Sequence, residues 1–164
     1  MIKTYKELVD RVSQFKIDSN LDLSSGEDLS IGIMNLISIE EHLFFTYGKT
    51  KNPKYLELLN SVRKMRVELL KEIIKDYEGE VWCISKHLLS ASMRLMEVGT
   101  KELKKGEKSK AEKLFQKSYE LYSLFWGLNL STDKKAAKLK MPEDKTMFNK
   151  LGDIVQHALD CCRE

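Results

Sequence analysis

The stretch over residues 80–106 reads EVWCISKHLLSASMRLMEVGTKELKKG. It contains no proline, and the small residues Ser85, Ser92 and Gly99 recur every seven residues, which places them on one face of a helix. Gly106 follows the last turn, where a residue with left-handed backbone commonly ends a helix. The stretch therefore predicts a helix over 80–104 whose small-residue face allows a second helix to approach closely.

The rest of the chain extends the helical pattern in both directions. Capping residues, a proline in a first helical turn and apolar residues at helical spacing predict further helices over 4–15, 27–47, 53–77, 109–128 and 146–162. Residues 131–145 are lysine-rich and broken by Pro142, and no segment of useful length alternates as a strand does. We expect one all-α domain over residues 1–164, a bundle of about six antiparallel helices.

Composition is that of a globular protein. The 164 residues are 42% hydrophobic and 32% charged, and the net charge of +3 is too small to demand a polyanionic partner. No stretch approaches the roughly 18 apolar residues that span a bilayer, so we expect no membrane insertion. Three cysteines, of which Cys161 and Cys162 are adjacent, do not form a disulfide framework and indicate reduced thiols in a cytoplasm.

One segment, residues 92–125, carries a family resemblance. Large apolar and small residues follow one another across two helices at Leu95, Val98, Gly99, Leu103, Gly106, Ala111, Phe115 and Ser118. The pattern resembles a single tetratricopeptide (TPR) helical hairpin, in which small-on-small contacts bring two antiparallel helices together. It departs from the family at Glu102, where an aromatic residue is usual, and no second copy occurs at the same period. The resemblance implies recognition of a protein or peptide in a groove between packed helices.

Two charged residues fall inside apolar helix faces. Glu40 lies in the middle of the stripe on the helix over 27–47, a stripe that also includes Phe44, and Arg66 lies in the stripe on the next helix. A buried charge is costly unless it is paired, so we expect Glu40 and Arg66 to form an ion pair across adjacent helices. Either the pair fixes helix register, or it belongs to a polar pocket in which Arg66 or Arg63 binds an anion.

Two histidine–cysteine pairs have a spacing compatible with metal binding. Cys83 and His87 are four residues apart, as are His157 and Cys161. Together they would supply the two sulfurs and two nitrogens of a tetrahedral zinc site. Against zinc, neither pair has the Cys-x-x-Cys spacing of common structural sites, and the two helices need not be neighbours. A ferritin-like di-iron site is excluded because no Glu-x-x-His occurs in the chain.

Sequence signals for catalysis and for nucleic-acid binding are weak. The chain has no phosphate-binding glycine loop, no dinucleotide fingerprint and no nucleophile elbow, so we expect no enzyme and no cofactor. Residues 101–140 contain eleven lysines against five acidic residues but no arginine. The aromatic residues there mostly follow the phase of a core rather than a stacking platform, which argues against nucleic acid as the partner.

These observations favour a non-enzymatic module that binds a protein or peptide, with a homodimer as one possible form. Trp82, Tyr119 and Trp126 are the candidate contact residues if they are exposed, because aromatic residues concentrate at binding hot spots. The alternative is a helical bundle that binds a small ligand or a metal ion. Its candidate residues are Glu40, Arg66, Cys83 and His87.

Overall fold

The protein is all-α across the residues that the structure describes. The structure is a computed structural model and describes residues 24–75 and 80–132. These ranges contain four helices and no strand: α1 (Ser24–Thr50), α2 (Lys54–Ile73), α3 (Glu80–Lys104) and α4 (Lys108–Thr132). α1 packs on α2, α3 packs on α4, and α1 also packs on α3, so two helical hairpins lie side by side. None of the described helices is long and apolar enough to cross a membrane.

The helix boundaries confirm part of the sequence prediction and correct the rest. α3 has the predicted bounds, whereas α1 and α4 extend a few residues beyond theirs. α2 ends at Ile73, short of the predicted 77, because Ile74 leaves the helical region with φ −88° and ψ 109°. The expected bundle of about six helices is corrected to four within the described ranges, and the predicted helices over 4–15 and 146–162 lie outside them.

The hydrophobic core lies where the first half of α1, the end of α2, the first half of α3 and the second half of α4 meet. Its fully buried side chains include Ile33, Leu70, Ile74, Val81, Leu89, Phe125 and Leu128. Nearer the hairpin turns, large apolar side chains are exposed instead, among them Phe44, Phe45, Leu58, Met96 and Leu103. The two hairpins therefore share one core at one end and present apolar surface toward the other.

A polar contact ties α1 to α4 at the edge of this core. The Ser30 hydroxyl donates to the Glu27 carbonyl at 2.7 Å and lies 2.6 Å from the Tyr122 hydroxyl. Because the single proton of Ser30 is used on Glu27, Tyr122 donates to Ser30. Burial raises the pKa of Tyr122, so the phenol stays protonated and keeps this hydrogen bond across the neutral pH range.

The hairpin of α3 and α4 has the close approach that the small residues predict. Ser92 and Ser118 exchange hydrogen bonds, each hydroxyl donating to the other's backbone carbonyl at 2.9 and 2.7 Å. One layer away, the Asn129 amide donates to the Ser85 hydroxyl at 2.9 Å. All four side chains are buried, so the small polar residues satisfy one another where the helices approach.

The turn between α3 and α4 ends the first helix as the glycine predicts. Gly106 has φ +86°, the left-handed region that glycine adopts without strain. Its N–H bonds the Leu103 carbonyl at 3.0 Å, and the Glu107 N–H bonds the Glu102 carbonyl at 3.0 Å, which together form a Schellman cap. The Glu102 carboxylate pairs with Lys105 at 2.8 Å and with Lys110 at 2.9 Å, so it joins the end of α3 to the start of α4.

Replacing Gly99 by alanine is expected to destabilise the hairpin. A Cβ atom at this buried position would lie 2.7 Å from Cε1 of Phe115, so the ring must move. Such overpacking costs about 1–3 kcal/mol, against about 1 kcal/mol gained from better helix propensity. Urea unfolding should show a net loss for Gly99→Ala. The matched change Gly32→Ala, in α1 where nothing lies within 4 Å, should instead raise stability. A gain at both glycines would contradict the contact.

Candidate binding cleft

The ion pair expected between Glu40 and Arg66 is present and includes a second arginine. Nε of Arg66 donates to Oε1 of Glu40 at 2.7 Å, and Nη2 of Arg66 lies 3.3 Å from Oε2. Nε of Arg63 donates to Oε2 at 2.8 Å. Glu40 and Arg66 are 8% and 5% exposed, whereas more than half of the Arg63 side chain is in solvent. One buried carboxylate is therefore held by two guanidinium groups from one face of α2.

Helical spacing explains why both arginines reach the same carboxylate. Arg63 and Arg66 are three residues apart, so their side chains leave α2 on the same side. α2 runs antiparallel to α1 and packs along it, which brings that side against the middle of α1. The carboxylate therefore accepts one hydrogen bond on each oxygen at short distance, and its position is fixed from both sides.

The two arginines decide the protonation of Glu40. Burial on its own would raise the pKa of this carboxyl, but hydrogen bonds from Arg66 and Arg63, together with their positive charges, outweigh burial and lower the pKa. Glu40 is therefore ionised at neutral pH and does not act as a proton donor. The Glu40 carboxylate accepts hydrogen bonds from Arg63 and Arg66 and so orients both guanidinium groups.

The lowered pKa of Glu40 predicts acid sensitivity. Its contribution to stability is fully present above the ordinary carboxyl pKa of about 4.3 and is lost as pH falls through the lowered folded-state pKa. Glu40→Gln mimics the protonated group. The difference in melting temperature between the parent chain and Glu40→Gln should therefore shrink as pH is lowered from 7 to 3. A difference that stays constant over this range would show that ionised Glu40 does not stabilise the fold.

The ion pair forms the floor of a cleft between α1, α2 and α3. The cleft has a volume of about 550 Å³, within the usual range of binding sites. Its polar lining consists of Glu40, Glu41, Arg63, Arg66, Lys86, His87 and Ser90. Its apolar lining consists of Ile37, Phe44, Leu59, Val67 and Trp82. A polar floor with apolar walls can bind a ligand that combines both kinds of group.

A salt bridge between α1 and α3 separates this cleft from a smaller one. Glu41 of α1 pairs with Arg94 of α3, and Arg94 also bonds Glu97 at 2.6 Å. Behind this bridge lies a second cavity of about 330 Å³ whose lining includes His42, Phe45 and Arg94. Phe44 and Phe45 therefore face different clefts although they are adjacent in sequence.

The structure separates the aromatic contact candidates. Trp82 lines the cleft and is partly exposed. Tyr119 is 44% exposed but lies on α4, outside the cleft. Trp126 is 2% exposed, with its ring centroid 5.2 Å from that of Phe125, so its role as a contact residue is corrected to core packing.

Of the four proposed zinc ligands, the structure describes only Cys83 and His87. Cys83 and His87 are both exposed on α3, and of the two only His87 lines the cleft. His157 and Cys161 lie outside the described residues. Among the residues in 24–75 and 80–132, no group of three or more histidine, cysteine, aspartate or glutamate side chains could hold a metal ion.

Sequence reasoning missed Phe44 and Lys86 as residues of the site. It placed Phe44 in the core stripe of α1, and this assignment is wrong, because the side chain is 57% exposed. Lys86 follows Trp82 by one helical turn on α3, a spacing that puts both on one side of the helix. The spacing alone indicates that Trp82 and Lys86 share one side of α3. Only the structure shows that this side faces the cleft that α1 and α2 also line.

Comparison with known proteins adds no relative: no family model, curated protein or solved structure matches the chain. The TPR resemblance of residues 92–125 stays a prediction.

Proposed function

We propose that this protein is a non-enzymatic interaction module that binds a peptide segment of another protein in the cleft between α1, α2 and α3. The observation that carries the proposal is the combination of a fixed charged floor with accessible apolar walls in one cleft of about 550 Å³. A peptide presents both kinds of group, since its side chains alternate in chemistry along one backbone. The TPR-like pattern of residues 92–125 also favours recognition of a protein or peptide.

Accessible aromatic groups favour a peptide over an enclosed small molecule. Phe44 is 57% exposed on the wall of the cleft, and Trp82 opposite it on α3 is partly exposed. Sites for small ligands usually enclose most of the ligand surface, whereas peptide grooves offer open apolar pockets. The buried Glu40–Arg66 pair holds the floor in place before binding, which reduces the entropy cost of recognition.

Selection of peptides tests the proposal. A random peptide library displayed on phage is panned against the purified chain, and enriched peptides are measured by fluorescence polarisation. Phe44→Ala should weaken binding about 30-fold, the effect of a hot spot worth about 2 kcal/mol. Phe45→Ala is the matched control, because Phe45 is similarly exposed at 55% but lines the other cavity. No enrichment, or equal affinity for Phe44→Ala and the parent, would contradict the proposal.

Two related expectations belong to the same proposal. Self-association that Phe44→Ala abolishes would identify the bound segment as part of a second copy, and light scattering would detect it.

We also propose a cytoplasmic, reducing setting. The exposed, free thiol of Cys83 supports this setting, since exposed thiols tend to oxidise in compartments that are not reducing.

A further inference from the structure

We infer that the segment bound in the cleft is acidic, with a carboxylate side chain next to an aromatic or aliphatic one. This inference rests on the proposed function and adds the chemistry of the partner. The acidic side chains of the cleft are already paired with arginines, whereas several of its basic side chains still have donors for a ligand.

The acidic groups of the cleft are already paired. Glu40 is held by Arg63 and Arg66 at 2.8 and 2.7 Å. Glu41 pairs with Arg94 of α3, which lines the smaller cavity and not the cleft. Neither carboxylate is therefore available as the main acceptor for a basic ligand.

Several basic groups of the cleft, by contrast, still have N–H donors that no acidic side chain in the described residues accepts. Within the described residues, Lys86 and His87 have no ion pair or hydrogen bond to an acidic side chain. Arg63 uses only Nε on Glu40, so in the same part of the chain its two Nη groups remain without an acceptor. In that part of the chain, Lys86, His87 and the Nη groups of Arg63 therefore line one cleft with donors that no acidic side chain accepts, and a carboxylate is the peptide group that fits them best.

The apolar walls specify what accompanies the carboxylate. Leu59 and Val67 flank Arg63 on α2 by one helical turn each, while Phe44 and Trp82 line α1 and α3. A carboxylate bound between such walls is shielded from water, which strengthens its attraction to Arg63 and Lys86. An aromatic or aliphatic neighbour in the peptide would cover the exposed face of Phe44.

The lysine-rich turn between α3 and α4 needs a control, because it would attract any acidic peptide from a distance. Lys113 is an exposed lysine of α4 that does not line the cleft. Lys113→Gln removes the same charge as Lys86→Gln at a position away from the site. Comparing the two variants separates contact in the cleft from general electrostatic attraction.

The test uses peptides enriched from the random library. They are expected to share an aspartate or glutamate beside an apolar residue. Lys86→Gln should weaken the tightest peptide about tenfold, and Lys113→Gln should change its affinity less than twofold. Replacing the peptide's own glutamate by glutamine, or its aspartate by asparagine, should give a similar loss. That substitution leaves the protein unaltered, so it remains decisive if Lys86→Gln folds poorly.

Failure of the inference and failure of the proposed function are distinguishable. Enriched peptides that need Phe44 but carry no acidic residue would overturn the inference and leave the peptide-binding function standing. Equal losses for Lys86→Gln and Lys113→Gln would also overturn it, by assigning the acidic preference to long-range attraction. Displacement of the peptide by an equal concentration of free glutamate would overturn it in favour of a small-anion site.

Discussion

Replacing Glu40 by alanine is expected to lower the free energy of unfolding by about 3–5 kcal/mol, the usual cost of removing one partner of a buried ion pair. The loss arises because Arg66, only 5% exposed, would keep its charge without an acceptor. Chemical denaturation followed by circular dichroism measures the change directly.

Two variants show that the loss comes from the unpaired charge. Glu41→Ala removes the neighbouring carboxylate, whose pair with Arg94 is roughly half exposed, and should cost no more than about 1 kcal/mol. The double variant Glu40→Leu with Arg66→Met removes both buried charges and should recover most of the stability lost in Glu40→Ala. If Glu40→Ala and Glu41→Ala cost the same, the buried pair is not the stabilising feature.

Replacing Phe125 by alanine is expected to be comparably severe. Phe125 is fully buried and packs edge-on against Trp126, with ring centroids 5.2 Å apart. Truncation of a buried phenylalanine costs about 3–5 kcal/mol, because it removes apolar burial and leaves a cavity. Thermal and urea unfolding should both show the loss, with the helical circular dichroism signal retained below the transition.

Phe44→Ala is the matched control for this change, since it makes the same substitution at a phenylalanine that is 57% exposed. Its cost should stay within about 0.5 kcal/mol, the usual range for surface substitutions. The same variant is expected to lose peptide binding, so one substitution separates stability from function. Equal destabilisation at Phe44 and Phe125 would contradict the placement of Phe125 in the core and of Phe44 on the surface.

Local sequence patterns predict the helices and the contacts within a hairpin. The seven-residue spacing of Ser85, Ser92 and Gly99 depends only on the geometry of one helix, so the buried face of α3 could be predicted. The Glu40–Arg66 pair could also be predicted, because a charge in an apolar stripe requires a partner on the adjacent helix.

The sequence offered a polar pocket at Glu40, Arg63 and Arg66 as one alternative, but the walls of the cleft could not be predicted, because they depend on how the two hairpins pack against each other. Helical phase places Phe44 one turn beyond Glu40, yet no helix covers it in the described part of the chain, where its side chain is 57% exposed and lines the cleft. Trp82 and Lys86 become site residues only because α3 faces α2 across α1. Likewise, the second arginine of the ion pair, Arg63, follows from the antiparallel packing of α1 and α2.

A nuclear magnetic resonance titration shows directly whether the cleft binds an acidic peptide. The ¹⁵N-labelled chain is titrated with the tightest peptide from the library. We predict that the largest chemical-shift changes occur at the indole N–H of Trp82, the Nε–H of Arg63 and the backbone amides near Lys86. The indole N–H of the buried Trp126 should change little. Changes centred on the lysine-rich turn at Gly106, or on the cavity beside Phe45, would contradict binding in the cleft.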